Sequence, residues 1–105
     1  MSLVLLTLIA PAALEEQLTG VLLAHEPTAR AGFGVRDVRY HGNAQVYRDL
    51  TEQIKGYARM VEISVPLQDN ECIDLVRNIA AELPNLGVKY RTSPLSASKA
   101  VEQSR

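Results

Sequence analysis

The residues best suited to binding chemistry lie in residues 30–59, where positive charge accumulates. This stretch contains five arginines, one lysine and three carboxylates, which is an excess of three positive charges. The net charge of the whole chain is −1. Guanidinium groups suit bidentate contacts with phosphate and carboxylate, and a locally basic field attracts anions. The pattern therefore predicts an anionic partner for this stretch, the alternative being a charged loop that is only solvated.

Six residues of this stretch are the predicted ligand-binding residues. The arginines would supply cationic donors, although they could instead pair with Asp37, Glu62 or solvent. Glycine allows a ligand to approach the backbone closely, and histidine can donate or accept a hydrogen bond. The predicted set is Gly34, Arg36, Arg39, His41, Gly42 and Arg59.

Catalytic motifs are missing from the sequence, which contains no Ser-His-Asp arrangement, no CxxC and no Walker loop. The chain is therefore predicted not to be an enzyme, and the sequence identifies no cofactor. A single histidine without nearby cysteines or spaced carboxylates is weak grounds for a metal site, so no metal ligand is predicted. A metal-tolerance protein that binds cations through His41 is the alternative function.

Length and composition indicate one soluble domain. The chain has 105 residues, of which 47% are hydrophobic and 22% charged, as in ordinary globular proteins. A net charge near zero gives no whole-molecule attraction to nucleic acid. The single cysteine, Cys72, rules out a disulfide within the chain and favours a reducing, cytoplasmic compartment. The apolar run at residues 3–10 is too short to span a bilayer.

The hydrophobic periodicity predicts four strands and two helices. Alternating or continuous apolar runs indicate strands, and apolar residues at i, i+3, i+4 and i+7 indicate helices. The predicted strands are residues 3–9, 32–42 (with a bulge or bend between Val35 and Val38), 55–65 (ended by Pro66) and 86–92. The predicted helices are residues 11–27 (ended by Pro27) and 68–83 (capped by Asp69 or Asn70). Residues 43–54 form a long loop, residues 1–95 one domain, and residues 96–105 a flexible tail.

The βαββαβ order predicts an α+β, ferredoxin-like fold. In it an antiparallel four-stranded sheet has both helices on one face and the first and third strands at its centre. The first strand is apolar on both faces. Leaving an aliphatic side chain exposed to water costs about 1.5–3 kcal/mol of free energy relative to burying it. The uncovered sheet face is therefore predicted to lie against another copy of the chain.

The spacing of Gly32, Val35, Val38 and Gly42 resembles the second strand of the nitrogen-regulatory PII superfamily. In that family the strand leads into a long T-loop and then a third strand. The run from LLTLIAPAALEEQL to KYRTSPL is most similar to a small PII-like group that accompanies heavy-metal efflux systems.

This resemblance implies a signalling homotrimer with ligand clefts between its subunits. The ligand would be a small anion, with adenine nucleotides as the main candidates. The loop of residues 43–54 would then contact a target protein, with a membrane transporter as one candidate target. Its predicted partner-binding residues are Gln45, Tyr47 and Arg48.

Overall fold

The strands and helices follow the predicted order, with one additional short helix. The computed structural model describes residues 2–42 and 56–103. Its strands are β1 (Leu3–Pro11), β2 (Gly34–Tyr40), β3 (Ala58–Gln68) and β4 (Lys89–Pro94). Its helices are α1 (Glu15–Ala24), α2 (Glu26–Ala31) and α3 (Asp69–Glu82), and single 3-10 turns lie at Ala12–Leu14 and Val101–Gln103. None of the helices in the described parts of the chain is long and apolar enough to cross a membrane.

The four strands form one antiparallel sheet in the order β2-β3-β1-β4. The central strands are the first and third, as predicted, and the α+β ferredoxin-like fold is confirmed. β3 is paired with β1 from Met60 to Gln68, while β2 pairs only with the half of β3 that precedes Val65. The ends of β2 and β3 that flank residues 43–55 therefore lie side by side.

One face of the sheet carries the core. Alternate residues of β1 and β3 point toward the helices and are fully buried, and Leu18 and Leu22 of α1 and Leu75 and Ile79 of α3 pack against them. Adjacent residues of a strand point to opposite faces. The register thus places every strand residue either on this helix-covered face or on the opposite face of the sheet, the open face.

The first helical region breaks at His25, where the sequence predicted an uninterrupted helix ending near Pro27. His25 is extended (φ −89°, ψ 105°), and Pro27 lies in the first turn of α2. Proline cannot donate to the residue four positions earlier and its ring clashes with that carbonyl, so a helix cannot run through it from α1. The same ring is well tolerated in the first turn of a new helix.

The third strand runs past Pro66, which the sequence predicted to end it. Pro66 lies opposite Leu5 of β1 and beyond the end of β2. The other edge of β3 is unpaired there, so proline, which has no N–H to donate to a neighbouring strand, is tolerated. The strand continues to Gln68, which caps α3 in place of the predicted Asp69 or Asn70. Gln68 and Glu71 form a capping box, and the Gln68 N–H donates to Glu71 Oε1 at 2.9 Å.

The predicted bulge in β2 is wrong. Residues 34–40 pair one to one with residues 64–58 without interruption. The apparent shift of phase between Val35 and Val38 arises because the two valines lie on opposite faces: Val35 is exposed on the helix side and Val38 packs on the open face. An edge strand such as β2 does not need to have all of its apolar residues on the same face.

The open face carries a small apolar cluster that the chain covers with its own side chains. Ile9, Ala58 and Met60 form it, and Val38 and Tyr40 pack against it. Ile9 is only 1% exposed in the single chain. The single chain therefore covers Ile9 without another copy, although Leu3 and Leu5 on the same face are only half-buried.

Candidate functional site

Four of the six predicted ligand-binding residues meet where β2 ends and β3 begins. Arg39 lies directly opposite Arg59 in the antiparallel register. His41 and Gly42 follow β2 immediately and are exposed. Arg39 and Arg59 share a face with Val61, a residue of the helix-side core, so both guanidinium groups belong to the helix-covered side of the sheet, at the base of the predicted loop.

An aromatic ring lies between two of these residues. The guanidinium carbon of Arg39 is 5.6 Å from the ring centroid of Tyr57, a distance typical of cation–π contacts. The His41 and Tyr57 ring centroids are 5.8 Å apart, with the planes tilted by 49°. Tyr57 therefore contacts both Arg39 and His41, and it offers an aromatic surface at the same place.

Arg39 and Tyr57 line a groove of about 340 Å³, beside which His41 lies at the end of β2. That volume is at the lower end of the range for small-molecule sites. Its lining comes from the paired ends of β2 and β3 and from the 3-10 turn after β1. The lining residues are Ala12, Asp37, Val38, Arg39, Tyr57, Arg59 and Met60. Asp37 was not among the predicted site residues, although its position two residues before Arg39 places it on the same face of β2.

The electrostatics of the groove favour an anion. Two like charges directly opposite each other across neighbouring strands are destabilising. Asp37 is the one carboxylate among the residues that line the groove, so the lining carries two positive charges and one negative charge. An anion placed between Arg39 and Arg59 would accept charge-assisted hydrogen bonds from both.

Gly34 and Arg36 lie apart from this groove. Gly34 begins β2 opposite Ser64, about 17 Å along the strand from Arg39 at the usual rise per residue. Arg36 lies on the open face, three residues from Arg39 and therefore on the other side of the sheet. Its Nη2 donates to Glu62 Oε1 at 2.5 Å. The six predicted residues thus do not form one site in this chain.

Glu62 is the centre of a hydrogen-bonded group on the open face. Besides the Arg36 contact, its Oε2 accepts a hydrogen bond of 2.9 Å from the Tyr40 hydroxyl. The hydrogen bond from Arg36, followed by the one from Tyr40, lowers the pKa of the Glu62 carboxyl. Burial, followed by the hydrogen bond to Glu62, raises the pKa of the Tyr40 hydroxyl. Arg91 of β4 contributes to the field at both groups.

The lowered pKa of Glu62 predicts a specific acid sensitivity. A carboxyl whose pKa is lower in the folded chain stabilises the fold above the unfolded value of about 4.3 and loses that contribution as the pH falls through the folded pKa. Between about pH 7 and pH 3 the wild type should lose more thermal stability than Glu62→Gln. Melting temperatures over this range test it, and parallel curves for the two proteins would contradict it.

The three predicted partner-binding residues belong to the loop of residues 43–54. Gln45, Tyr47 and Arg48 lie outside the described residues. Within residues 2–42 and 56–103, no group of three or more histidine, cysteine, aspartate or glutamate side chains could hold a metal ion. His41 itself faces the Tyr57 ring, so no contact in the described chain favours the metal-tolerance alternative.

Comparison with known proteins places this fold in a family. The family model described as "Protein of unknown function (DUF3240)" matches residues 1–102. A crystal structure of a DUF3240 family protein from Shewanella baltica OS155 superposes with a TM-score of 0.76 at 15% sequence identity, covering 96% of this chain and 98% of that one. Among curated proteins no match was found.

Two further solved structures are PII-like proteins. CPII from Thiomonas intermedia K12, a nitrogen regulatory PII-like protein bound to ADP, AMP and bicarbonate, gives a TM-score of 0.70 at 12% identity, with 96% of this chain and 98% of that chain covered. A putative PII-like signalling protein from Thermus thermophilus gives 0.61 at 15% identity, with 90% of each chain covered. The predicted resemblance to the PII superfamily is confirmed at the level of the fold.

Proposed function

We propose that this chain, which belongs to the DUF3240 family and has a PII-like fold, is a non-catalytic regulatory protein that binds a small anion in the groove beside Arg39. The observation that carries the proposal is the pair of arginines that face each other across β2 and β3, with Tyr57 against one of them. Such a pair can donate to one anion from two strands at once, and the groove is large enough to admit it.

An adenine nucleotide is the ligand we consider first. Its phosphates match the guanidinium groups of Arg39 and Arg59, and its base would find an aromatic surface at Tyr57. The PII-like protein CPII, which shares the fold, was solved with ADP, AMP and bicarbonate. Bicarbonate is the second candidate, because a small planar anion needs only the paired donors.

The regulatory output would pass through residues 43–54. These residues connect directly to the groove through His41 and Gly42, so a ligand at Arg39 would alter how they meet a partner protein, for which a membrane transporter is one candidate. The groove opens beside an edge strand, and a neighbouring subunit of a homotrimer would complete it. Native mass spectrometry would report the number of subunits and any ligand retained from the cell.

Calorimetric titration with ADP, AMP, ATP, cyclic AMP and bicarbonate tests the site. At least one of them should bind, and Arg39→Gln should weaken that binding about tenfold to a hundredfold because a hydrogen bond to a charged group is lost. Arg30→Gln is the matched control. It also removes one exposed arginine, but from α2, where Arg30 pairs with Glu26, and it should bind as the wild type does.

Two outcomes would contradict the proposal. One is that none of the five ligands gives heat at millimolar concentration. The other is that Arg39→Gln and Arg30→Gln bind equally well, since the groove would then take no part in binding.

A further inference from the structure

Asp37 is an unexpected member of a groove that otherwise favours anions. It is the one carboxylate among the described lining residues, beside the two cations Arg39 and Arg59. Asp37 is exposed, and within residues 2–42 and 56–103 its side chain forms no hydrogen bond or ion pair. A carboxylate at this position weakens the attraction for a bare anion. A site for a simple anion therefore does not account for it.

The register places Asp37 and the two arginines on the same side of the sheet. Asp37 pairs with Val61, and Arg39, two residues later on β2, pairs with Arg59. Residues two apart in a strand share a face and lie about 7 Å from each other. The groove therefore offers a pair of cations at one end and a hydrogen-bond acceptor about one sugar ring away from them.

This arrangement of groups matches a ribose phosphate. Guanidinium groups bind phosphate oxygens, while an ionised carboxylate accepts hydrogen bonds through two oxygens. The two neighbouring hydroxyls of a ribose lie across the ring from a 5′-phosphate, and an acidic side chain that accepts from a ribose hydroxyl is a recurring element of nucleotide sites. Bicarbonate and inorganic phosphate are too small to reach Asp37 from a position between the two arginines.

We propose that Asp37 is a specificity-determining residue of the groove, which accepts hydrogen bonds from the sugar hydroxyls of a ribose phosphate whose phosphate lies between Arg39 and Arg59. This inference rests on the proposed function, because it concerns the same groove, and it selects a nucleotide over bicarbonate as the ligand. Tyr57, which lines the groove as well, provides the surface for a base attached to the sugar.

The test compares three ligands by calorimetric titration: AMP, dideoxy-AMP without the two sugar hydroxyls, and inorganic phosphate. The wild type should bind AMP about tenfold more tightly than dideoxy-AMP, because hydrogen bonds to a charged acceptor are lost. Asp37→Asn should weaken AMP binding about fivefold, since an amide oxygen is a weaker acceptor than a carboxylate. The same variant should tighten the binding of dideoxy-AMP and of phosphate about threefold, because a negative charge about 7 Å from the ligand is removed.

Asp74→Asn is the matched control. It also removes one exposed carboxylate, but from α3 and away from the groove, so all three affinities should remain those of the wild type. Opposite changes for AMP and phosphate in Asp37→Asn, with none in Asp74→Asn, would support the inference.

The remaining outcomes separate this inference from the proposed function. Equal affinity of the wild type for AMP and dideoxy-AMP would overturn the inference without the need for any variant, as would the same change for all three ligands in Asp37→Asn. If phosphate binds through Arg39 and AMP binds no more tightly than phosphate, the inference fails and the proposed function stands. If neither AMP nor any other ligand of the first titration binds, both fail.

Discussion

Leu75→Ala is expected to lower the free energy of unfolding by about 2–5 kcal/mol. Leu75 is completely buried on the inner side of α3, against the helix-covered face of the sheet. Removing its branched end sacrifices the transfer free energy of the deleted carbons and leaves a cavity that the surrounding residues fill only partly. The loss is a large fraction of the stability of a typical small domain, about 5–15 kcal/mol.

The same helix supplies the control for this substitution. Ile73 is also aliphatic and lies two residues earlier on α3, but it is 53% exposed. Urea denaturation of both variants should show a large loss for Leu75→Ala and a loss of about 0.5 kcal/mol or less for Ile73→Ala. Comparable losses at the two positions would mean that α3 does not present the described face to the core.

Thr28→Val should cost about 1–3 kcal/mol, although the two side chains have nearly the same shape. Thr28 is fully buried, and its hydroxyl shares a hydrogen bond of 2.7 Å with Nδ1 of the buried His25. Valine fills the space of threonine but leaves that ring nitrogen without its partner inside the protein. A buried polar atom that loses its partner is left with an uncompensated desolvation cost.

Thr19→Val is the matched substitution for this second prediction. The Thr19 hydroxyl donates to the Glu16 carbonyl at 3.0 Å on the outer side of α1, where water can replace it. Thermal or urea unfolding should therefore separate the two variants by about 1 kcal/mol or more. If Thr28→Val is as stable as Thr19→Val, the contact between the two helices at His25 contributes little.

Much of the fold follows from the periodicity of the sequence. The helical spacing of the second long helix predicts a buried stripe, and four of its five members are buried while Val76 is half-buried. The stripe is Cys72, Leu75, Val76, Ile79 and Leu83. The boundaries were harder to predict, and two of the errors at element ends involve proline. Pro27 and Pro66 were interpreted as stops, yet one lies at the start of a new helix and the other on an unpaired strand edge. Both outcomes depend on neighbours that are distant in the sequence.

The candidate site was predictable in part. The basic stretch singled out Arg39, His41 and Arg59, and the structure brings these residues together at the strand ends. Their role in binding stays a prediction. Arg36 was grouped with Arg39 and Arg59 because all three arginines lie near the loop base in the sequence, and closeness in sequence does not show which face of the sheet a residue occupies. In the regular strand that the structure shows, an odd separation puts Arg36 and Arg39 on opposite faces.

The covering of the open face could not be read from the sequence. It depends on the Tyr40 side chain, whose hydroxyl bonds to Glu62, a residue 22 positions away. A hydropathy pattern reports which residues prefer burial but not which long side chain reaches over them. The same limit applies to Tyr57, whose contact with Arg39 requires the end of β2 and the start of β3 to lie side by side.

The alternating residues of β2 have two different structural roles. Arg39 lines the groove, while its immediate neighbour Tyr40 covers the apolar cluster on the opposite side. Deleting or inserting a single residue between Val35 and Arg39 would exchange these two faces at once. Evolution can therefore vary the side chains of this strand one at a time, but it cannot readily change the number of residues in it. Changes of chain length in this region should be confined to the segment that follows Gly42.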